Sequence, residues 1–255
     1  MALELSYTEY GSGKPVVILH GLFGSKRNWQ SIAKRLSAHH HVIAVDLRNH
    51  GDSPWDDAMR YQDMADDIAA LLKRRALGPA AIVGHSMGGK ASMVLALSEP
   101  RLVERLCVVD ISPAPSGGTL IDYIQDMRAM DLSAYDRRSQ VEEAMKETIA
   151  EPAIRSFLAH NVKVEPAGLS WQINLAALEA AFDDIMGFPD LHPKHYLGKT
   201  LFLAGGRSDY ILPHHHAVIE TLFPKADIDV VPDAGHWVHA EQPALFIDKV
   251  SKFLS

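Results

Sequence analysis

The chain has 255 residues, 47% of them hydrophobic, and its 25 basic and 32 acidic side chains leave a formal net charge of −7. That length and apolar content are enough for a substantial core, in one large domain or a domain carrying an insertion, and they exclude a disordered chain. The charges are scattered without a basic block, which argues against nucleic acid as a partner.

The opening MALELSYTEY lacks the basic-then-apolar layout of a secretory signal, and no apolar run approaches the roughly 20 residues needed to cross a bilayer. A cytoplasmic protein with no membrane span is therefore expected. Cys107, the single cysteine, allows no disulfide within the chain and agrees with a reducing compartment. Its setting, LCVVD, reads as a small buried core residue.

In chain order, LELSYTEYGSGK alternates and predicts antiparallel edge strands joined by a Gly-rich turn. PVVILH, HVIAVDL, AAIVGHS and RLCVVDIS are Val/Ile/Leu-rich runs too short for helices. Between them, NWQSIAKRLSAH, MADDIAALLKRRAL and ASMVLALSEP have helical spacing. The alternation predicts an α/β fold built of βαβ units, with a mostly parallel central sheet and helices on both faces. From about Pro113 to Leu197 the alternation stops: YIQDMRAMDL, QVEEAMKETIA, AIRSFLAHNV and LAALEAAFDDIM look helical, with no convincing strand among them. A segment that leaves and re-enters the sheet after strand ends belongs above the carboxyl edge, where open α/β sheets bind ligands. Strands resume at TLFLAGG and DIDVVPDAGH, and ALFIDKVSKFL closes the chain as a helix. The expected division is a core of residues 1–112 and 198–255 with a helical cap of 113–197, and SPAPSGGT is the one hinge candidate.

The pentapeptide GHSMG, Gly84–Gly88, is the strongest chemical signal. Chance alone produces G-x-S-x-G about one time in fifteen in a chain this long, so its setting carries the weight. Apolar residues lead straight into it and a helix-compatible run leaves it. Such a strand, sharp turn and helix project the serine from the sheet edge and leave no room for side chains at Gly84 and Gly88. Ser86 is the expected nucleophile, with the Met87 N–H at the helix start as one oxyanion donor. HGLFGS, at the end of the PVVILH strand, supplies a second turn and Leu22 N–H as the other donor. Phe23 lines the pocket or fills core.

A serine hydroxyl needs a base to take its proton and an acid to orient that base. Of the 14 histidines, His236 in DAGHWVHAEQP follows the final strand and can reach back over the sheet edge. His239 falls at a helix start and is expected to contact solvent, and His85 is expected to pack or orient rather than act as base. The triplets His39–His41 and His214–His216 read as surface, because consecutive side chains do not easily converge on one ion. Arg48 and Asp52, in DLRNHGDSP, are expected to brace the floor of the site. Two acids, Asp110 after RLCVVD and Asp209 after TLFLAGG, both fit the chain order nucleophile, acid, histidine, and spacing does not choose between them.

Together HGLFGS, DLRNHGDS, GHSMGGK, VVDISP, YLGKTLFLAGGRS and DAGHWVHAEQP resemble the YbfF-type esterases and acyl thioesterases of the α/β-hydrolase superfamily, over nearly the whole chain. The resemblance implies the α/β-hydrolase fold, Asp110 as the acid and Ser208 assisting the histidine. A carboxylate at Asp209 departs from that pattern. The implied substrates are small-molecule esters or thioesters with short to medium acyl chains, acyl-CoA included, cleaved through an acyl-enzyme on Ser86.

No P-loop or dinucleotide fingerprint occurs, and neither metal nor cofactor is expected. Phe23 and Trp237 are placed at the substrate. Tyr123, Met127, Met130, Phe157, Trp171 and Phe182 line an acyl pocket or form the core of the cap. Lys90, Arg128 and Lys163 meet an anionic head group or are solvated. The same triad also serves carbon–carbon bond hydrolases and cofactor-free perhydrolases, whereas haloalkane dehalogenation needs a carboxylate in place of Ser86. From another class, the same shell serves non-catalytic small-molecule receptors.

Overall fold

A computed structural model describes residues 2–255. Among the described residues nine strands form: β1 Tyr7–Tyr10, β2 Pro15–Leu19, β3 His41–Val45, β4 Ala80–His85, β5 Val103–Val109, β6 Val162–Glu165, β7 Gly168–Trp171, β8 Lys199–Gly205 and β9 Ala226–Val231. Seven make one sheet in the order β1-β3-β2-β4-β5-β8-β9, parallel except for β1. The N-terminal expectation is corrected here. β1 pairs antiparallel with β3 rather than with the strand that follows its own turn, and β2 enters the parallel sheet. A Gly-rich turn signals a reversal, but nothing local fixes which strand is the neighbour.

The period-2 alternation of the strands sorts their side chains into two cores. Val17, Leu19, Ile43, Val45, Ile82, Leu106 and Val108 face the helices Tyr61–Arg74 and Met87–Ser98. Val16, Ile18, Val42, Ala44, Val83, Cys107 and Val109 face the helices Gln30–Leu36 and Pro243–Leu254. Central strands buried on both faces explain why PVVILH and AAIVGH read as continuous apolar runs. Met87–Ser98 is buried nearly all round, from Met87 to Leu97, as a helix apolar on every side must be. Burial pushes the Cys107 thiol up to about 12, so it is inert packing.

Between β5 and β8 the chain forms the helices Leu120–Ala129, Arg138–Ala144, Pro152–Ala159, Leu175–Ala180 and Phe182–Met186. The expectation that this stretch holds no strand is wrong. β6 and β7 pair as an antiparallel hairpin, Val162 opposite Trp171 and Glu165 opposite Gly168. Its signal was the alternation VKVE and LSW around Pro166-Ala167-Gly168, with Gly168 at φ +124° where side chains are disfavoured.

This segment is tied to the sheet by specific polar bonds. Asn161 Nδ2 donates to Phe23 O at 2.9 Å, Asn174 N to Asn49 O at 2.9 Å and Tyr61 Oη to Ile185 O at 2.5 Å. The Lys90 ammonium donates to Met186 O, Gly187 O and Ser116 Oγ at 2.8, 2.7 and 3.1 Å. Among the described residues no helix is long and apolar enough to cross a membrane.

Candidate active site

Between β4 and the next helix the chain turns within one residue, and Ser86 adopts φ 51°, ψ −119°. Such a backbone costs of order 1–3 kcal/mol and persists only where the surroundings over-determine it. Two glycines permit it: a Cβ at Gly84 would collide with Gly88 O, and one at Gly88 would meet His20 O at 2.5 Å.

Three distant segments meet at this turn. His236 Nε2 lies 3.0 Å from Ser86 Oγ, and His236 Nδ1 lies 2.8 Å from Asp110 Oδ2. Asp110, at φ 50° just past β5, is fully buried. Its Oδ1 accepts from Gly205 N at 2.8 Å and its Oδ2 from Ser208 Oγ at 2.5 Å. A buried carboxylate so satisfied stays an acceptor, which leaves the proton on His236 Nδ1 and the lone pair on Nε2 facing the serine. Ser208 therefore reaches the acid, and no bond joins it to the imidazole. Asp209 is exposed and has no bond to His236.

The second turn is held as firmly. His20 Nε2 accepts from Leu47 N at 2.9 Å, so its Nδ1–H donates to Gly21 O at 2.8 Å. Phe23, at φ 62°, is pinned through its carbonyl by Asn161. Neither Leu22 nor Met87 gives its backbone N–H to an acceptor among the described residues. A Cβ at Gly21 would come within 3.1 Å of Ser86 Cβ, so the two turns are in close approach.

These groups open on a cavity of about 260 Å³. Its wall combines Leu22, Phe23, Ser86, Tyr210, His236 and Trp237 with Leu120, Tyr123, Ile154, Phe157 and Leu158 from the segment between β5 and β8. Gly118 and Thr119, from the hinge candidate, also line it. Tyr210 stacks on His236 with ring centroids 4.0 Å apart, and Trp237 meets Phe157 edge-on at 5.7 Å.

A model of the alpha/beta hydrolase family matches residues 16–249. This chain belongs to that family. The hydrolase is 44% identical over 248 residues to the mouse (Mus musculus) sn-1-specific diacylglycerol lipase ABHD11, covering 94% of this chain and 80% of that one. It is 32% identical to esterase YbfF of Escherichia coli strain K12, with 96% and 94% covered. Among solved structures, a marine microorganism esterase superposes with a TM-score of 0.94 at 36% identity, covering 99% of this chain and all of that one. The hydrolase is thus an enzyme of the serine-hydrolase type.

Two expectations need correction, those for His239 and Lys90, and the other candidates fall as follows. His239 does not contact solvent: it is only 7% exposed and stacks on Trp29 at 4.0 Å, because the short helix Val238–Glu241 turns it inward. Lys90 neither meets a head group nor is solvated. Burial pushes its ammonium down to about 7, while its three oxygen acceptors oppose that shift. Arg48 and Asp52, expected to brace the floor of the site, are held in polar contacts outside the cavity lining. Arg48 makes a two-pronged pair with buried Asp67 at 2.7 and 2.9 Å, and Asp52 bonds Lys26 at 2.7 Å. Arg128 pairs with Glu179, and Lys163 with Glu165 at 2.8 Å. Of the aromatic and methionine set only Tyr123 and Phe157 reach the cavity; Met127 is buried core, and Met130, Trp171 and Phe182 pack against it.

Tyr210 and Asn161 went unnoticed in the sequence. Tyr210 had a signal, since it follows SD in the loop after a strand end. Asn161 had none, because its partner lies 138 residues away.

The site rests on buried neutral imidazoles. His85 donates through Nε2–H to His236 O at 2.8 Å and is held far below the usual histidine range by burial and by neighbouring His236. Burial pushes His50 and His239 down to about 3. Below pH ~6.5 the unfolded chain takes up these protons and the folded chain does not, so stability is full above that pH and is lost progressively toward pH 3. Each of the two removes about 1.4 kcal/mol per pH unit in that window. The urea midpoint should therefore drop clearly from pH 7 to pH 5, and equal midpoints would contradict the buried neutral state.

Proposed function

We propose that this enzyme hydrolyses carboxylic esters and thioesters with short to medium acyl chains through an acyl-enzyme on Ser86. The observation that carries the reading is the unbroken chain of contacts Ser86 Oγ, His236, Asp110, with its serine end open to an apolar cavity. The mouse lipase and the Escherichia coli esterase support the ester class by their names.

In the proposed cycle His236 Nε2 takes the Ser86 proton as Oγ attacks the substrate carbonyl carbon. The carbonyl oxygen becomes an oxyanion and is met by the free N–H groups of Leu22 and Met87, the latter at the N-terminus of a 12-residue helix. Collapse breaks the bond to the alcohol or thiol, which leaves with the proton from His236. Water, deprotonated by the same nitrogen, then attacks the acyl carbon and frees the acid and Ser86. Asp110 stabilises the imidazolium that forms twice per turnover. Residues 113–197 act as the cap, supplying the apolar wall for the acyl chain while the strand ends supply the polar machinery.

A fluorophosphonate probe tests the reading, because it reacts far faster with a serine activated in this way than with an ordinary hydroxyl. The expected product is a single adduct, located on the peptide containing Ser86 by mass spectrometry. An unreacted protein, or an adduct on another serine, would overturn the assignment.

A further inference from the structure

The cavity is not uniform. Besides Leu120, Ile154 and Leu158 it is lined by Gly24, Asn28, Trp29 and His239, none of which the hydrolytic cycle uses. Asn28 closes the short turn Lys26–Trp29: its Oδ1 accepts from Ser25 N at 2.7 Å and from Ser25 Oγ at 3.3 Å. Those bonds fix the amide, and its NH₂ group has no acceptor among the described residues. The next residue, Trp29, stacks on His239 with rings 15° from parallel. Asn28 and His239 are thereby tied to one part of the lining, Asn28 as the chain neighbour of Trp29 and His239 through the stack.

His239 is more than nine-tenths buried, yet among the described residues neither ring nitrogen has a hydrogen-bond partner. Nδ1 is sealed from solvent. An unsatisfied lone pair is tolerated in such a place better than an unsatisfied N–H, so the proton belongs on Nε2, the ring nitrogen that is not sealed. The lining then offers two uncharged N–H donors, Asn28 Nδ2 and His239 Nε2. No Lys, Arg, Asp or Glu lines the cavity, which disfavours a phosphorylated or carboxylate-bearing ligand.

We infer that Asn28 Nδ2 and His239 Nε2 form a subsite for a neutral oxygen in the alcohol part of the substrate, so that the enzyme selects esters of hydroxylated alcohols over esters of plain alkyl alcohols. The inference rests on the ester-hydrolase reading above. With the acyl chain against the apolar wall, a hydroxyl a few bonds beyond the ester oxygen accepts from the two donors, while a methyl group in its place leaves both unpaired. Donors left without an acceptor once the bound ligand excludes water are the source of discrimination at such sites.

The test uses two matched substrates, 2-hydroxyethyl butyrate and propyl butyrate, whose alcohol parts differ by a hydroxyl in place of a methyl group. The wild-type enzyme is expected to favour the first by about tenfold in kcat/KM, as two neutral hydrogen bonds imply. His239→Phe keeps the stack on Trp29 and removes the donor; Asn28→Asp keeps the oxygen that caps Ser25 and removes the other. Each is expected to bring the preference close to one, and the second carries the test if the first does not fold. An active wild-type enzyme with no preference, or a preference that survives in both variants, overturns the subsite alone. Absence of turnover on both esters together with no fluorophosphonate adduct overturns the hydrolase reading instead.

Discussion

Ser86→Ala is expected to lower kcat on a p-nitrophenyl butyrate substrate by about five to six orders of magnitude, with KM within a few-fold of wild type. The size follows from what the side chain alone supplies. Without Oγ the imidazole has no nucleophile to activate, and no acyl-enzyme forms. Oxyanion donors and substrate positioning survive, since Leu22 and Met87 act through their backbones, so a residual rate above that of water remains. The substitution is also mild structurally. Alanine removes one oxygen whose only side-chain bond is to His236 Nε2 at 3.0 Å, and it keeps a Cβ at a position already holding φ 51°. Unchanged melting temperature with lost turnover is the expected pair of results. A variant retaining a tenth of the activity would show that another group attacks the carbonyl.

The degree to which this site could be read from the sequence follows from the range of the interactions that build it. Ser86 was legible because its constraint is local: the glycines that allow the turn lie two residues to either side. His236 was legible through position, after the last strand and before the closing helix. The parallel sheet was legible because β2, β4 and β5 are buried on both faces and so carry no polar alternation. The environments of Lys90 and His239 were not. Each is a polar residue whose surroundings come from segments far off in the chain, Met186 and Gly187 for one and Trp29 for the other. Residue type alone places such side chains at the surface, and tertiary packing overrides it. The β6–β7 hairpin was missed for a different reason, since its four-residue strands are shorter than the helical windows around them.

The choice between the two acids yields the other large effect. Asp110→Asn is expected to cost about four orders of magnitude in kcat, and Asp209→Asn less than about twofold. In the first variant the new amide has one carbonyl oxygen and one NH₂. Gly205 N, 2.8 Å from Oδ1, claims the oxygen, so the NH₂ takes the place of Oδ2 against His236 Nδ1. Two donors cannot face each other, and the ring must move its proton to Nε2. That proton then points at Ser86 Oγ, where the mechanism needs a lone pair, and the cost of about 5.5 kcal/mol is that of the wrong tautomer without the compensating negative charge. Ser208→Ala should lie between the two, because it removes one of the donors that hold Asp110 Oδ2 while leaving the carboxylate in place. Asp209 is exposed and reaches neither partner, so its amide should be silent in kcat and in KM. A loss at Asp209→Asn larger than that at Asp110→Asn would mean that the loop after β8 swings its carboxylate onto His236 during turnover, and the acid would have to be reassigned.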